Sequence, residues 1–457
     1  MLIALYKANI KLILLSLGMI FFMLKPMYLW AQSTENLRQM VLKKAGITLQ
    51  QKQSIFDDAE VKLGQLLFYD PILSGGKKVS CASCHHPKTG TSDGLSLGLG
   101  DGAKGIGKLR KALLDNLPEQ RIPRNSPALF NLGQPEFTSF FHDGRLEKDD
   151  SRKSGIRTPL EDEMTTGFDS VLSAQAMFPV LSPDEMAGHY SENEISSAVR
   201  KGLLTGESGT WDIIAKRVSH IDEYKKRFTA LIGNREIHFT DIANVIAKFI
   251  DFEWRADQSP FDEFITKNNT LSPKATAGMK LFYGKAKCVS CHTGRFQTDH
   301  QFHAIAMPQI GPGKAERFED HHRDEGRMRV TGNLQDAYKF RTPSLRNVEL
   351  TSPYGHAGTY LSLDEVIKHH LDPIKSLYTY KPKNLPLPQF DNASDWAILS
   401  NESELKKIAD ANELMPMRLS DNEVENLVEF LKSLTDPISK KGRLGSPKTV
   451  PSGLDVD

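Results

Sequence analysis

The sequence predicts a mainly α-helical protein made of two similar halves, and three observations point there. A Cys-x-x-Cys-His pentapeptide occurs twice, Cys81 to His85 and Cys288 to His292, and together the copies use all four cysteines. Each copy follows an amphipathic helical pattern ending in Leu-Phe-Tyr, Val61 to Tyr69 and Ala275 to Tyr283. Each half then closes with a long apolar-periodic pattern, Thr240 to Glu253 and Ser420 to Leu434. In the second, Ser420 with Glu423 three residues on forms a capping-box signature. Strand patterns are few and short.

Composition sets outer bounds. A chain of 457 residues holds two or three domains at about 100–200 residues each. With 39% hydrophobic and 25% charged residues it is neither disordered nor a polytopic membrane protein. Lys plus Arg is 58 against 57 for Asp plus Glu, which leaves no basic surplus for a nucleic-acid partner.

At the N-terminus, Lys7 and Lys11 precede a 13-residue apolar run from Leu12 to Leu24, and residues 1–31 contain no acid. That run fits a signal peptide and falls short of the roughly 20 residues of a spanning helix, so cleavage after Ala31 and export to the periplasm are expected, with an uncleaved anchor as the alternative. Removal takes the formal charge from +1 to −2. Export to an oxidising compartment would ordinarily suggest two disulfides.

The cysteine spacing argues for covalent haem instead. Two thiols three residues apart on a helical turn can both add to one porphyrin, and the next residue, His85 or His292, becomes an axial ligand of its iron. A thioredoxin-like redox pair needs neither the histidine nor a second copy. A zinc ribbon would place its two pairs about 15–20 residues apart, whereas these stand at positions 81 and 288. Each half therefore reads as a cytochrome c-like domain with one haem c, over residues 51–268 and 269–437, and Leu271-Ser272-Pro273 opens the second. Residues 438–457, rich in Lys, Gly, Pro and Ser, read as a disordered tail.

Two further stretches stand out. Thr89 to Lys108 carries seven glycines and almost no apolar pattern, and reads as a surface loop or as a mobile loop over the first haem. Leu146 to Ser173 is polar and irregular and reads as an insertion without an assigned task.

Haem chemistry depends on what occupies the face opposite the proximal histidine. In the first half, His86 adjoins His85 and cannot reach across the ring, and Pro87 to Phe141 contains neither histidine nor methionine, so an open iron is expected. In the second half His300, His303, Met307, His321, His322, His356, His369 and His370 are all candidates, and the residues alone do not choose among them.

These motifs, with Arg124-Asn125-Ser126-Pro127, Phe141-His142-Asp143-Gly144-Arg145, Pro179 to Met186 and Phe340 to Gly358, resemble the bacterial di-haem cytochrome c peroxidases and their relative MauG over about residues 50–437. The resemblance implies two cytochrome c-like domains packed around an interdomain calcium ion. It assigns Glu185 as the catalytic carboxylate and Gln175, ten residues earlier, as the amide that holds peroxide. Such a carboxylate can take a proton from bound peroxide and return it to the leaving oxygen, although Ser182 to Glu185 is also a plausible helix start. The distal ligand of the second iron lies fourteen residues after His356, at His370, with His369 the nearest rival. Calcium falls to Asn125 and the backbone carbonyls of Thr351 and Pro353, an all-oxygen set that suits that ion, while Asn125 as a simple turn cap is the other reading.

Two departures from the family pattern stand out. The loop after the first haem lacks the distal histidine of many family peroxidases, which matches the always-open arrangement of MauG. The interhaem tryptophan before Asp-Gly-Arg is replaced by His142, which removes an oxidisable indole from the electron-transfer route. The expected function is a periplasmic di-haem peroxidase that reduces hydrogen peroxide with electrons from a small donor, a cytochrome c or cupredoxin, active without prior reduction, with a homodimer among the expected assemblies. The alternatives are a MauG-like oxidase of a partner protein and a non-enzymatic two-haem electron carrier.

Overall fold

The computed structural model describes residues 34–48, 55–267, 269–314, 318–391 and 393–456. The expected signal segment, residues 1–31, lies outside them, and among the described residues no helix is long and apolar enough to cross a membrane. Helices dominate. Ahead of the first half stands α1 (34–45), and within it are α2 (Asp58–Tyr69), α3 (Cys81–Cys84), α4 (Val171–Ala176), α5 (Glu194–Arg200), α6 (Thr210–Ser219), α7 (Asp222–Ile232) and α8 (Phe239–Glu253). The second has α9 (Pro260–Lys267), α10 (Pro273–Phe282), α11 (Met328–Thr331), α12 (Leu363–Leu371), α13 (Pro373–Thr379), α14 (Glu402–Asp410) and α15 (Asp421–Lys432). The sheets among the described residues are small: two pairs and one three-stranded sheet of Ser139–Phe140, Leu146–Lys148 and Ile156–Arg157.

Each half is organised by one helix crossing, and the two crossings are built alike. Helix α2 lies on α8 and α10 on α15, and a glycine sits at each contact. A Cβ on Gly64 would fall 1.9 Å from the carbonyl oxygen of Val245, and one on Gly278 would fall 1.8 Å from that of Asn426. Only a residue without a side chain lets the two backbones approach so closely. Around the first crossing Leu63, Leu67, Phe68, Tyr69, Phe249 and Trp254 form the buried core; around the second it is Met279, Phe282, Tyr283, Leu427 and Phe430. The expected cap is present, with the Ser420 side chain accepting from the Glu423 amide and Glu423 answering to the Ser420 amide.

The chain ends cross over. Val41, Ala45 and Ile47, in and just after α1, pack into the second core, although they precede the first half in sequence. Phe261, Phe264 and Ile265 of α9 do the same, so by packing the first half ends before Pro260 rather than at residue 268. The expected disordered tail is instead folded onto the first half. The Leu444 and Gly445 amides donate to the Glu253 carboxylate, Ser452 Oγ donates to Asp70, and Val450 is buried. Carboxylates of the first core supply acceptors that the tail's own composition does not reveal.

The glycine-rich loop also departs from expectation. Residues 95–103 are buried, because the loop is wedged between the halves: the Ser96 amide donates to Pro386, its hydroxyl donates to Gly358, and Leu97 packs on Ile310 and Ala357. The stretch from Leu146 to Ser173 contributes two of the three paired strands, and Leu146, Ile156, Met164, Val171 and Leu172 enter the first core.

Candidate functional site

Four thiols define two sites. None is in a disulfide, and burial pushes Cys81 and Cys288 up to about 12. A redox dithiol or a thiolate metal ligand needs the opposite shift, whereas a neutral thioether to a porphyrin suits an apolar setting. The first pair lies on α3, a single helical turn; the second lies on a 3-10 turn, Cys288–Ser290.

The histidine after each pair is held in one tautomer. His85 Nδ1 lies 2.9 Å from the carbonyl of Thr91, and His292 Nδ1 lies 3.0 Å from that of Gln297. A carbonyl can only accept, so Nδ1 carries the proton and Nε2 keeps its lone pair, the form that ligates a metal. Both carbonyls come from residues in the left-handed region, Thr91 at φ 58° and Gln297 at φ 48°, a strained conformation for a side-chain-bearing residue. Burial lowers His85 and takes His292 to about 4, so both are neutral near pH 7.

The first site opens into a cavity. Cys81, Cys84 and His85 line it, and so do Gln175 from α4 and Glu185. Glu185 sits on a five-residue π-helical turn, Pro183–Ala187, in which the Ser182 carbonyl accepts from the amides of Glu185, Met186 and Ala187. Single π turns of this kind are frequent at functional sites. The glycine-rich loop supports the turn from behind, because the Asp101 amide donates to the Glu185 carbonyl at 2.9 Å.

His142 lies where the halves meet. Its Nε2 donates to the Asn125 carbonyl at 2.9 Å, and its own carbonyl accepts from the Arg341 amide. Burial, reinforced by the Arg124 guanidinium, lowers it to about 4. Asn125 donates its side-chain amide to the Leu95 carbonyl and its backbone amide to that of His356. Thr351 and Pro353 follow a 3-10 turn, Val348–Leu350, at a cis Ser352–Pro353 bond.

The structure distinguishes five of the eight second-half candidates. The ring of His370, on α12, faces that of His292 with centroids 6.5 Å apart. Two metal–imidazole bonds of about 2.0–2.1 Å, plus the ring radii, put two trans imidazoles roughly that far apart. His370 Nδ1 is committed to the Val366 carbonyl at 2.8 Å, so it too presents Nε2. The rival, His369, has both nitrogens engaged, Nδ1 by the Tyr360 hydroxyl and Nε2 by the Ile305 carbonyl. His303 is held between Asp299 and Glu413, His321 pairs with Glu319, and His356 stacks on Phe340 at 3.8 Å.

Sequence reasoning missed the cations around the first cavity. Arg145 and Lys314 line it, and burial takes Lys314 down to about 8. Arg341 is half-buried with Nη1 unpaired, and burial lowers it to about 10. Arg145 also pairs with Asp143, while such half-buried cations fit the carboxylate side chains of a haem. Beside them Arg124 is satisfied by protein alone. It donates to Asp143 at 2.6 Å and to both oxygens of Asp324 at 2.6 and 2.7 Å, tying the halves together.

Comparison with known proteins gives one consistent pattern. Residues 58–270 match the family model for di-haem cytochrome c peroxidase. Methylamine utilization protein MauG of Methylorubrum extorquens is 29% identical over 68% of this chain and 68% of its own length. Cytochrome c551 peroxidase of Nitrosomonas europaea is 28% identical over 67% of this chain and 71% of its own. Among solved structures, the fold is similar to a diheme peroxidase of Burkholderia thailandensis, with a TM-score of 0.56, 19% identity and coverage of 88% of this chain and 90% of that one. It is also similar to a MauG-like protein associated with microbial copper homeostasis, with a TM-score of 0.54, 22% identity and coverage of 84% and 91%.

Proposed function

The chain belongs to the di-haem cytochrome c peroxidase and MauG family, whose named relatives include oxidoreductases acting on peroxide, and from that premise we propose that it reduces hydrogen peroxide at the site of Cys81, Cys84 and His85. The observation that carries the reading is that Glu185 and Gln175, far from His85 in sequence, line the same cavity. A haem bound there supplies the redox chemistry. The protein supplies the rest. Glu185 accepts a proton from peroxide and returns it to the departing oxygen, and Gln175 orients the substrate by its amide. Lys314 and Arg145 line the same cavity as positive charges, and the π turn carries Glu185.

Cys288, Cys291, His292 and His370 would hold a second haem, which would supply electron transfer. A small redox protein outside would be the electron donor, and His142 at the junction of the halves stands where the family has an indole, as an imidazole that stays neutral near pH 7. The two halves act as cytochrome c-like domains, each with one haem c. Asn125 with the carbonyls of Thr351 and Pro353 binds calcium between them. The N-terminal segment exports the protein to the periplasm.

Rapid mixing of the fully oxidised protein with peroxide tests the reading. The wild type reacts at once, and Glu185→Gln reacts about 10²–10⁴-fold more slowly with its resting spectrum unchanged. Equal rates for the two proteins would contradict it. A MauG-type reading, in which a partner protein's side chain is oxidised, uses the same residues, and steady turnover with a small donor alone argues against it.

A further inference from the structure

Behind the turn that carries Glu185 lies a second cluster that the peroxidase reading does not use. Asp101 comes from the glycine-rich loop, while His189 and Glu192 follow the π turn. One ligand atom from each lies within 4.8 Å of the others. Asp101 is 1% exposed and His189 2% exposed, whereas Glu192 stands at the rim. Neither ring nitrogen of His189 has a hydrogen-bond partner, and neither carboxylate oxygen of Asp101 receives a hydrogen bond. A buried imidazole with both nitrogens unsatisfied costs folding free energy unless something else fills the space between the groups.

The surroundings keep that space small and polar. A Cβ on Gly188 would stand 2.5 Å from Glu192 Oε1 and 3.1 Å from Asp101 Oδ2, and one on Gly102 would stand 3.2 Å from His189 Nε2. Both glycines have positive φ, at 84° and 80°.

We propose that Asp101, His189 and Glu192 bind one divalent transition-metal ion of the zinc type. One imidazole nitrogen with two carboxylates is a three-ligand zinc set that leaves a fourth place for water. A buried imidazole argues against calcium and magnesium, which take oxygen donors. The ion neutralises the facing carboxylates and satisfies His189. It also braces the peroxide-site turn, since the Asp101 amide holds the Glu185 carbonyl. The site stands independently of the peroxidase reading.

The test is a zinc count on the untagged, haem-loaded, full-length protein. The protein is stripped with chelator and titrated with zinc ion, and bound zinc is measured against iron by elemental mass spectrometry. The expected result is one zinc per two irons. Asp101→Asn, His189→Gln and Glu192→Gln should each weaken binding by roughly 100-fold or more, above the 10–100-fold typical of losing an outer-shell partner. Glu192→Gln lies at the rim, and an unchanged far-ultraviolet dichroism and haem spectrum establish that it is folded. Failure of the wild type to take up zinc overturns the proposal, as does equal uptake by the folded Glu192→Gln variant.

Discussion

Replacing Asp324 by asparagine should loosen the junction between the halves. Asp324 accepts from Nε and Nη2 of Arg124 and from the Gly326 amide, and Arg124 reaches Asp143 with its remaining arm. An asparagine presents one oxygen and one NH₂ to this fork, so a donor faces a donor. Although burial opposes its charge, the Arg124 guanidinium holds the Asp324 carboxyl at about 2, below the usual 3.8. At about 1.4 kcal/mol per pH unit that depression contributes a few kcal/mol. Breaking a buried pair outright costs about 3–5 kcal/mol, so a loss of about 3 kcal/mol is expected at pH 7.

The sign is fixed by the depressed value. The contribution is complete above the unfolded carboxyl's pKa, near 4, and disappears as the pH falls through about 2. Urea unfolding followed by far-ultraviolet dichroism at several pH values measures this directly. Wild type and Asp324→Asn should differ by about 3 kcal/mol at pH 7 and converge in acid. A difference below about 0.5 kcal/mol at neutral pH would refute the assignment of Arg124–Asp324 as a working cross-link.

Three other outcomes follow from the geometry. Gly64→Ala and Gly278→Ala, which in an open helix would gain about 1 kcal/mol, should each destabilise by about 1–3 kcal/mol because the new methyl meets a backbone carbonyl; calorimetry of each variant reads the change. His370→Ala should convert the second haem to a high-spin spectrum while His369→Ala leaves it low-spin, and identical spectra would reject the tautomer argument. Truncation after Lys441 should lower the melting temperature of the first half by several degrees, because Glu253 and Asp70 lose partners in a buried setting.

What could be read from residues alone was local in character. The crossing helices announced themselves by apolar periodicity and the repeated Leu-Phe-Tyr, and Ser420 with Glu423 marked a helix start that the structure has. The glycine-rich loop misled because glycine content outweighed a short signal within it: Leu95, Leu97 and Leu99 alternate and are all buried. Its burial depends on Pro386 and Gly358, nearly three hundred residues away, and no local pattern encodes that. The tail misled for the same reason, since its anchors are carboxylates of the other half. His370 could be singled out only by resemblance; its distinction from His369 rests on Tyr360 and Ile305, which occupy both nitrogens of the rival. Lys314 and Arg341 carried no sequence signal, because a cation becomes notable only once it is buried.

Electron paramagnetic resonance of the fully oxidised protein bears most directly on the central claim. One high-spin ferric signal, from the iron beside His85, together with one low-spin signal of bis-imidazole type from the iron between His292 and His370, is the predicted result. Two low-spin signals, with no high-spin component in any redox state, would contradict it.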